Sequence, residues 1–187
     1  MLVKEILKIS ADFLELKNVK KYLNSEVEIS DEIEEEINNL LLGLNMVNNT
    51  IAASYIDLNG IKKIDTNNKV IPFSDISQKS IIEIKSVESI AGNLLGFKIM
   101  PDGLLVDTAG SCVVKYTYFP DRLELDSEIN YYLKLNEITV AMGVVGEYLY
   151  IKGVLDDAYM WDKRFKSAMF NLLRPKRNIV MPARRWK

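Results

Sequence analysis

Carboxylates are the side chains of this sequence that could carry acid–base chemistry, because the chain contains no histidine. The absence of histidine removes Ser-His-Asp and Cys-His pairs, and a single cysteine, Cys112, leaves few ligands for zinc. Glu147 could be a buried acid, although a salt bridge to a facing Lys or Arg is the more common outcome. Asp156 and Asp157 are neighbours on a helix, point in different directions and do not form a dyad. We therefore expect a non-enzymatic protein without catalytic residues, metal or cofactor.

The composition is that of an ordinary folded protein. The 187 residues are 48% hydrophobic and 27% charged, which excludes collagen-like and disordered chains. No apolar run approaches the roughly 20 residues that a bilayer helix needs. The first residues lack a secretory pattern, and one cysteine cannot form an intrachain disulfide, so we expect an intracellular protein.

The net charge of −2 conceals an uneven distribution of charge along the chain. Residues 26–36 hold seven acids and no base, whereas residues 163–187 hold nine bases and no acid. The preceding 162 residues therefore carry −11. Such asymmetry indicates a nucleic-acid-binding or partner-binding end, and the structural alternative is two solvated helix faces with a frayed terminus.

The spacing of apolar residues predicts two helices in residues 1–57 and two more in residues 128–174. Ser30 is a good N-cap for the second helix, and the helix dipole favours the acids that follow it. Gly153 fits a left-handed cap between the third helix and the fourth. The apolar positions of these last two helices are Tyr132, Leu135, Ile138, Met142, Val145, Leu149, Leu155, Ala158, Trp161, Phe165, Met169 and Leu172.

Residues 58–127 change to short runs rich in Ile, Val, Tyr and Phe that are separated by Gly and Pro, which is typical of strands and turns. Residues 101–103, Pro-Asp-Gly, predict a hairpin turn with a glycine available for positive φ. Because successive strands this close usually pair, we expect an antiparallel meander of three or four strands.

These elements predict an α+β fold with a helical bundle of about four helices and a β meander inserted between helices 2 and 3. Residues 1–174 would form a single domain, and residues 175–187 an extended basic C-terminal tail. The third helix carries Ala141, Gly143 and Gly146, and glycine inside a helix costs up to about 1 kcal/mol relative to alanine. Another backbone should therefore pass close to it, either the second helix of the same chain or another subunit.

The tail combines five bases in its last twelve residues with Ile179, Val180, Met181 and Trp186. A partner groove would bury these apolar groups and pair the charges. Contact with a nucleic-acid backbone and plain disorder are the alternatives.

The order of these elements resembles that of the head–tail adaptor (head-completion) proteins of tailed bacteriophages, including the tubular adaptors of short-tailed phages. The closest stretch is residues 141–187, where Gly146-Glu-Tyr-Leu-Tyr-Ile-Lys-Gly153 leads through Asp157-Ala-Tyr-Met-Trp-Asp-Lys-Arg-Phe165 to Arg184-Arg185-Trp186. It is similar to the C-terminal helical pair of small phage connector proteins. The likeness of layout covers nearly the whole chain and includes no short diagnostic motif.

The resemblance implies a structural virion component of the phage neck, made in the host cytoplasm. It implies a cyclic homo-oligomeric ring, usually of twelve copies, that joins the portal protein to a tail or neck protein. DNA would pass through its channel during packaging and ejection without sequence-specific contact, since the charge of −11 repels phosphate. The family has no catalytic residues to carry over. The alternative function is a nucleic-acid-binding accessory protein that uses the basic tail as its phosphate contact.

The sharpest prediction from the sequence concerns the tail. Arginine makes bidentate contacts to carboxylates, and tryptophan is a large flat anchor. We predict that a neighbouring subunit or the portal is contacted by Lys176, Arg177, Ile179, Met181, Arg184, Arg185 and Trp186. Deleting residues 184–187 should leave circular dichroism unchanged and abolish attachment to the portal or ring, because truncating such anchors costs about 2 kcal/mol or more. A truncated chain that unfolds, or that still assembles normally, contradicts this prediction.

Overall fold

The computed structural model describes residues 1–65, 68–130 and 135–173. Within these ranges the chain forms six helices, α1 (Val3–Phe13), α2 (Lys17–Leu23), α3 (Asp31–Ser54), α4 (Phe73–Ile76), α5 (Glu137–Ile151) and α6 (Leu155–Leu173). The same ranges contain six strands, β1 (Asn59–Ile64), β2 (Val70–Pro72), β3 (Ile81–Ser89), β4 (Phe97–Met100), β5 (Gly103–Val106) and β6 (Cys112–Tyr118). All six strands lie between α3 and α5 in the sequence.

The predicted fold of four bundled helices with one β meander is wrong. The described residues form six helices and two three-stranded antiparallel sheets. Neither sheet follows sequence order, because β6 lies between β1 and β3, and β5 lies between β2 and β4. A periodic pattern shows which segments are extended, whereas the partner of each strand depends on contacts between segments far apart in sequence. The meander assumed that neighbours in sequence pair, and only β4 and β5 do so directly.

The first predicted helix is two helices in the structure. The chain turns at Glu15, which adopts a φ of 57°, and α2 follows as a separate segment. The next helix begins where the sequence predicts, since the backbone N–H of Ile33 donates to the Ser30 hydroxyl at 3.4 Å. This cap leaves Asp31, Glu32 and Glu34 in the first turn of α3.

The two sheets are held together by a shared apolar cluster. Side chains from the first sheet meet side chains from the second, and the cluster includes Ile64, Val87, Cys112, Val114, Ile71, Leu104 and Val106. Tyr118, at the end of β6, packs against this cluster and also against the helical core. The Asn45 side chain of α3 accepts from the Leu123 N–H at 2.7 Å and donates to the Leu123 carbonyl at 3.1 Å. These contacts fix the connection after β6 against the helices.

Pro101 and Asp102 form the turn between β4 and β5, and Met100 pairs with Gly103 at its base. Gly103 has no positive φ, so the reason given above for this glycine is wrong. A Cβ atom on Gly103 would instead overlap the carbonyl of Ile71 in β2. The glycine therefore allows the close pairing of β2 with β5.

α5 is the central helix of the helical core, where it packs against α1, α3 and α6. Most of its residues from Thr139 to Tyr148 are buried. It begins later than the predicted start at residue 128, because the Asn136 side chain caps it by accepting from the Thr139 N–H at 2.8 Å. At its other end Gly153 adopts a φ of 76°, as the sequence predicts for a left-handed cap.

Gly103→Ala should destabilise the protein by about 2 kcal/mol, because the added methyl group has to displace β2 in a packed sheet. Urea unfolding followed by circular dichroism measures this change. The neighbouring exposed residue supplies the control, and Asp102→Ala should change the free energy of unfolding by less than about 0.5 kcal/mol. Equal losses in the free energy of unfolding for the two variants would show that the turn, rather than the close approach of β2, causes the destabilisation.

Candidate functional site

The seven tail residues predicted to bind a partner, Lys176, Arg177, Ile179, Met181, Arg184, Arg185 and Trp186, lie outside the described residues. The helix that leads into the tail is described in full as far as Leu173. This helix, α6, precedes the predicted docking residues and was not itself predicted to bind a partner.

One side of α6 packs closely on α5. Ala158, Phe165 and Met169 are buried, and a Cβ atom on Gly146 would come within 3.3 Å of the backbone nitrogen of Asp162. A Cβ atom on Gly143 would lie 3.0 Å from Val47 of α3 and 3.1 Å from the Phe165 ring. Two backbones of the same chain thus pass close to the small-residue helix, α6 at Gly146 and α3 at Gly43, where a Cβ atom would lie 3.3 Å from the Val144 carbonyl oxygen.

The other side of α6 exposes large apolar side chains. Leu155, Tyr159 and Phe170 are 62%, 62% and 64% exposed. At 100° per residue they fall within about 60° of one another around the helix, so they form one stripe, called here the α6 stripe. Lys163 and Lys166 lie on the same face, and Lys166 pairs with Asp162 at 2.7 Å. The α6 stripe therefore has two apolar parts, the pair Leu155 and Tyr159 and, about 16 Å further along the helix, Phe170, with the two lysines between them.

Apolar spacing predicts that Leu155 faces the core together with the residues of the fourth helix that are in fact buried or half-buried. It assigns Tyr159 and Phe170 to no surface, so the stripe is not predicted from the sequence. The signal was present, because α6 carries apolar residues at more positions than one face can hold. A helix with two apolar faces is typical of one that contacts its own core and a second surface.

A second exposed apolar surface lies beside α3. Leu42 and Met46, spaced four residues apart, are each more than 40% exposed. Phe119 and Pro120 from the connection after β6 form the opposite wall of a groove of about 470 Å³. This α3 groove (Leu42, Met46, Phe119 and Pro120) is also lined by Arg122, and no carboxylate lines it.

The acids at the start of α3 border a second groove, called here the acidic groove, of about 500 Å³ between α2 and α3. Its rim includes Glu15, Glu32, Glu35 and Glu36, and its floor includes the buried Val19. Much of the acidic run therefore has a structural role, because it forms the first turns of the capped helix α3. The solvent-exposed surface of this acidic run is the rim of the groove.

Glu36 is fixed by two side chains of the α5 region. The Tyr148 hydroxyl donates to one of its carboxylate oxygens at 2.5 Å, and Lys152 Nζ donates to the other at 3.1 Å. This bond to Glu36 is the main reason that the pKa of Lys152 is raised. Burial, followed by the bond to Glu36, raises the pKa of Tyr148. The cluster joins the start of α3 to the end of α5 and is a structural element.

Glu147, the one candidate acid from the sequence, is half-buried between α5 and α6. Burial raises its pKa, the charge of Asp162 raises it further, and Lys166 lowers it. Lys166 forms its ion pair with Asp162, so the expected salt bridge of Glu147 is not found among the described residues. Glu147 lines neither the α3 groove nor the groove between α2 and α3. A substrate-accessible carboxylate pair is thus not formed here, and a non-enzymatic role stays a prediction.

Other chemistry is sparse in the described part of the chain. No group of three His, Cys, Asp or Glu side chains within residues 1–65, 68–130 and 135–173 could hold a metal ion. Cys112 is a buried free thiol whose pKa is raised by that burial. None of the helices described is both long enough and apolar enough to cross a membrane.

Comparison with known proteins does not assign the chain to a family. No protein-family model matches the chain, and a search of curated proteins finds no significant match. The likeness to phage adaptors therefore rests on residues 141–187 and on the coarse order of helices, strands and a final helical pair, since the single meander of the predicted layout is not formed.

Tyr148→Phe should destabilise the protein by about 1.5 kcal/mol, because it leaves a partly buried carboxylate oxygen of Glu36 without its donor. Tyr150→Phe, on the exposed side of the same helix, is the matched control and should cost less than about 0.5 kcal/mol. Urea unfolding of both variants checks the difference. Similar losses in the two variants would mean that the bond to Glu36 contributes nothing specific.

Proposed function

We propose that the protein is a structural subunit of a head–tail adaptor ring in the neck of a tailed phage, and that copies of the chain associate through α6. The observation that supports this proposal most directly is the α6 stripe. It leaves three large apolar side chains mostly exposed on one face of a 19-residue helix. Leu155 and Tyr159, one helical turn apart, form an exposed apolar pair, and exposed apolar patches rimmed by polar residues mark interaction sites.

A second copy of the same chain is the partner that this surface fits. The stripe and the α3 groove are two unlike apolar surfaces on one subunit, contributed by different elements. Unlike surfaces that bind each other form heterologous contacts, and such contacts close into a ring when the rotation between copies permits. An adaptor ring requires this kind of interface, and the resemblance of residues 141–187 to the C-terminal helical pair of phage connector proteins supports the same assembly.

The charge distribution agrees with a ring that surrounds DNA. The first 162 residues carry −11, which disfavours adhesion of phosphate to the channel wall. The bases are concentrated after the start of α6 and continue into the tail. In the proposed neck the tail contacts the portal or a neighbouring subunit, and the body lets DNA pass.

Tyr159→Glu combined with Phe170→Glu should abolish ring assembly, because carboxylates would then be buried in an apolar contact. Native mass spectrometry and negative-stain electron microscopy, with and without the portal protein, measure assembly. Met160→Glu is the control. Met160 is 55% exposed on the same helix but lies about 100° around it from Tyr159, so this variant should assemble as the unchanged protein does.

Circular dichroism should be the same for all three proteins, since the substituted side chains are exposed. The proposal fails if the unchanged protein forms no ring in either condition. It also fails if the protein binds duplex DNA tightly and specifically, which would favour the accessory-protein alternative. Steep salt dependence would accompany that alternative, with about 0.9 added to the log–log slope for each phosphate neutralised.

A further inference from the structure

We infer that the part of the α6 face from residue 155 to residue 163 binds the connection between α2 and α3 of a second copy of the chain. Residues 27–31, which contain this connection and the first residue of α3, are called here the entry segment. The inference rests on the association through α6 proposed above and does not require that a ring closes. It follows from the order and spacing of the side chains on two exposed surfaces.

The α6 face presents two apolar side chains and then a base. Leu155 and Tyr159 are mostly exposed, and Lys163 is exposed one helical turn further on. These three residues, called here the α6 row, are spaced about 6 Å apart along the helix and lie within about 80° around it. Lys163 has no ion pair among the residues that the structure describes, whereas Lys166 is already paired with Asp162. A partner that fits the α6 row therefore has to offer two apolar groups followed by an acid.

The entry segment presents the same order of side chains with the opposite charge. Val27 is 40% exposed, Ile29 is 51% exposed, and Asp31 is also exposed. Ser30 has an extended backbone, with a φ of −119° and a ψ of 162°, and residues 28–30 belong to no helix, strand or turn. In an extended chain alternate side chains point to the same side, about 6.6 Å apart. Val27, Ile29 and Asp31 therefore form an apolar, apolar, acidic row with nearly the spacing of the α6 row.

One alignment of the two rows matches every position, with the entry segment parallel to α6. It pairs Val27 with Leu155, Ile29 with Tyr159, and Asp31 with Lys163. The opposite direction would place each of the two charges against an apolar side chain, which desolvates both without pairing them. The α3 groove does not match the α6 row, because its charged lining residue, Arg122, is a base.

Charge and spacing alone make a second copy of the chain the matching partner. Both rows are exposed on one subunit, so they do not cover each other within it. Each copy therefore carries one row of each kind. Two such contacts close a two-fold dimer if the rows face the same side of the subunit, whereas rows on different sides continue the contact into a ring or an open chain. The pairs of side chains are the same in all these assemblies.

Disulfide cross-linking of full-length chains tests the contact. Ile29→Cys chains are mixed with Tyr159→Cys chains that carry a longer tag, and the mixture is mildly oxidised. Mixed covalent dimers should be about tenfold more abundant than in a mixture of Ile29→Cys and Met160→Cys chains, because docked cysteines have a high effective concentration. Met160 is also exposed but lies about 100° around α6 from Tyr159, and buried Cys112 should contribute to neither yield. Equal yields from the two mixtures would overturn the inference.

Exchange of charge tests the alignment independently. Lys163→Glu should weaken self-association about fivefold in sedimentation velocity, because it places two carboxylates together, and Asp31→Lys should weaken it by a similar factor. A mixture of the two variants should recover to within about twofold of the unchanged protein. Lys62→Glu, exposed on β1, makes the same change in net charge and should have no effect. A mixture that does not recover contradicts the alignment, since mixing would not repair a weakened start of α3.

The double variant Ile29→Cys/Tyr159→Cys separates this contact from the proposed function. A ladder of covalent multimers, together with rings of the unchanged protein in electron micrographs, supports both. Covalent dimers alone, with no rings, support the contact and overturn the ring. Rings without cross-linking above the Ile29→Cys/Met160→Cys control overturn the contact and leave the proposed function standing. A protein that stays monomeric, with no cross-linking above that control, overturns both.

Discussion

The burial of α5 on nearly all sides is the constraint on which the rest of the helical part depends. Its neighbours α3 and α6 approach closely because glycines replace larger side chains where the helices meet, at Gly43, Gly143 and Gly146. Each helix that packs on α5 buries one of its faces in that contact. For α6, which lies outermost, the opposite face then has no partner within the described chain, so the exposed α6 stripe is a direct consequence of how the core is assembled.

The structure separates two roles that the acidic run combines in sequence. Ser30 caps α3, and the first-turn acids stabilise the helix dipole, each by up to about 1 kcal/mol. Glu36 has a different role, because Tyr148 and Lys152 fix it against the end of α5. Removing charge from this segment would therefore weaken the start of α3 before it revealed any effect on binding.

The features that the sequence predicts well are those determined by a few neighbouring residues. The Ser30 cap, the positive φ at Gly153 and the turn at Pro101 and Asp102 are of this kind. The features that it predicts poorly depend on distant contacts. The order of the strands is set by packing around β6 and β5, and the role of Gly103 becomes visible only when β2 is known to lie against it. The exposed α6 stripe was not predicted for the same reason: apolar spacing identifies a helix, but it does not show which of two apolar faces the core covers.

α3 and α6 run parallel to each other, because both are antiparallel to α5: Val47 and Phe165 lie beside Gly143, whereas Glu36 bonds to Lys152 and Asp162 lies beside Gly146. Glu32 lies fifteen residues before Val47, and Leu173 lies eight residues after Phe165, so the acidic groove and the end of α6 are about 35 Å apart along the helices. This separation is several times the Debye length of about 8 Å at physiological salt, so charges at these two ends of the subunit are screened from each other. In the proposed ring the acidic groove would therefore present its charge at the end of each subunit that lies away from Leu173.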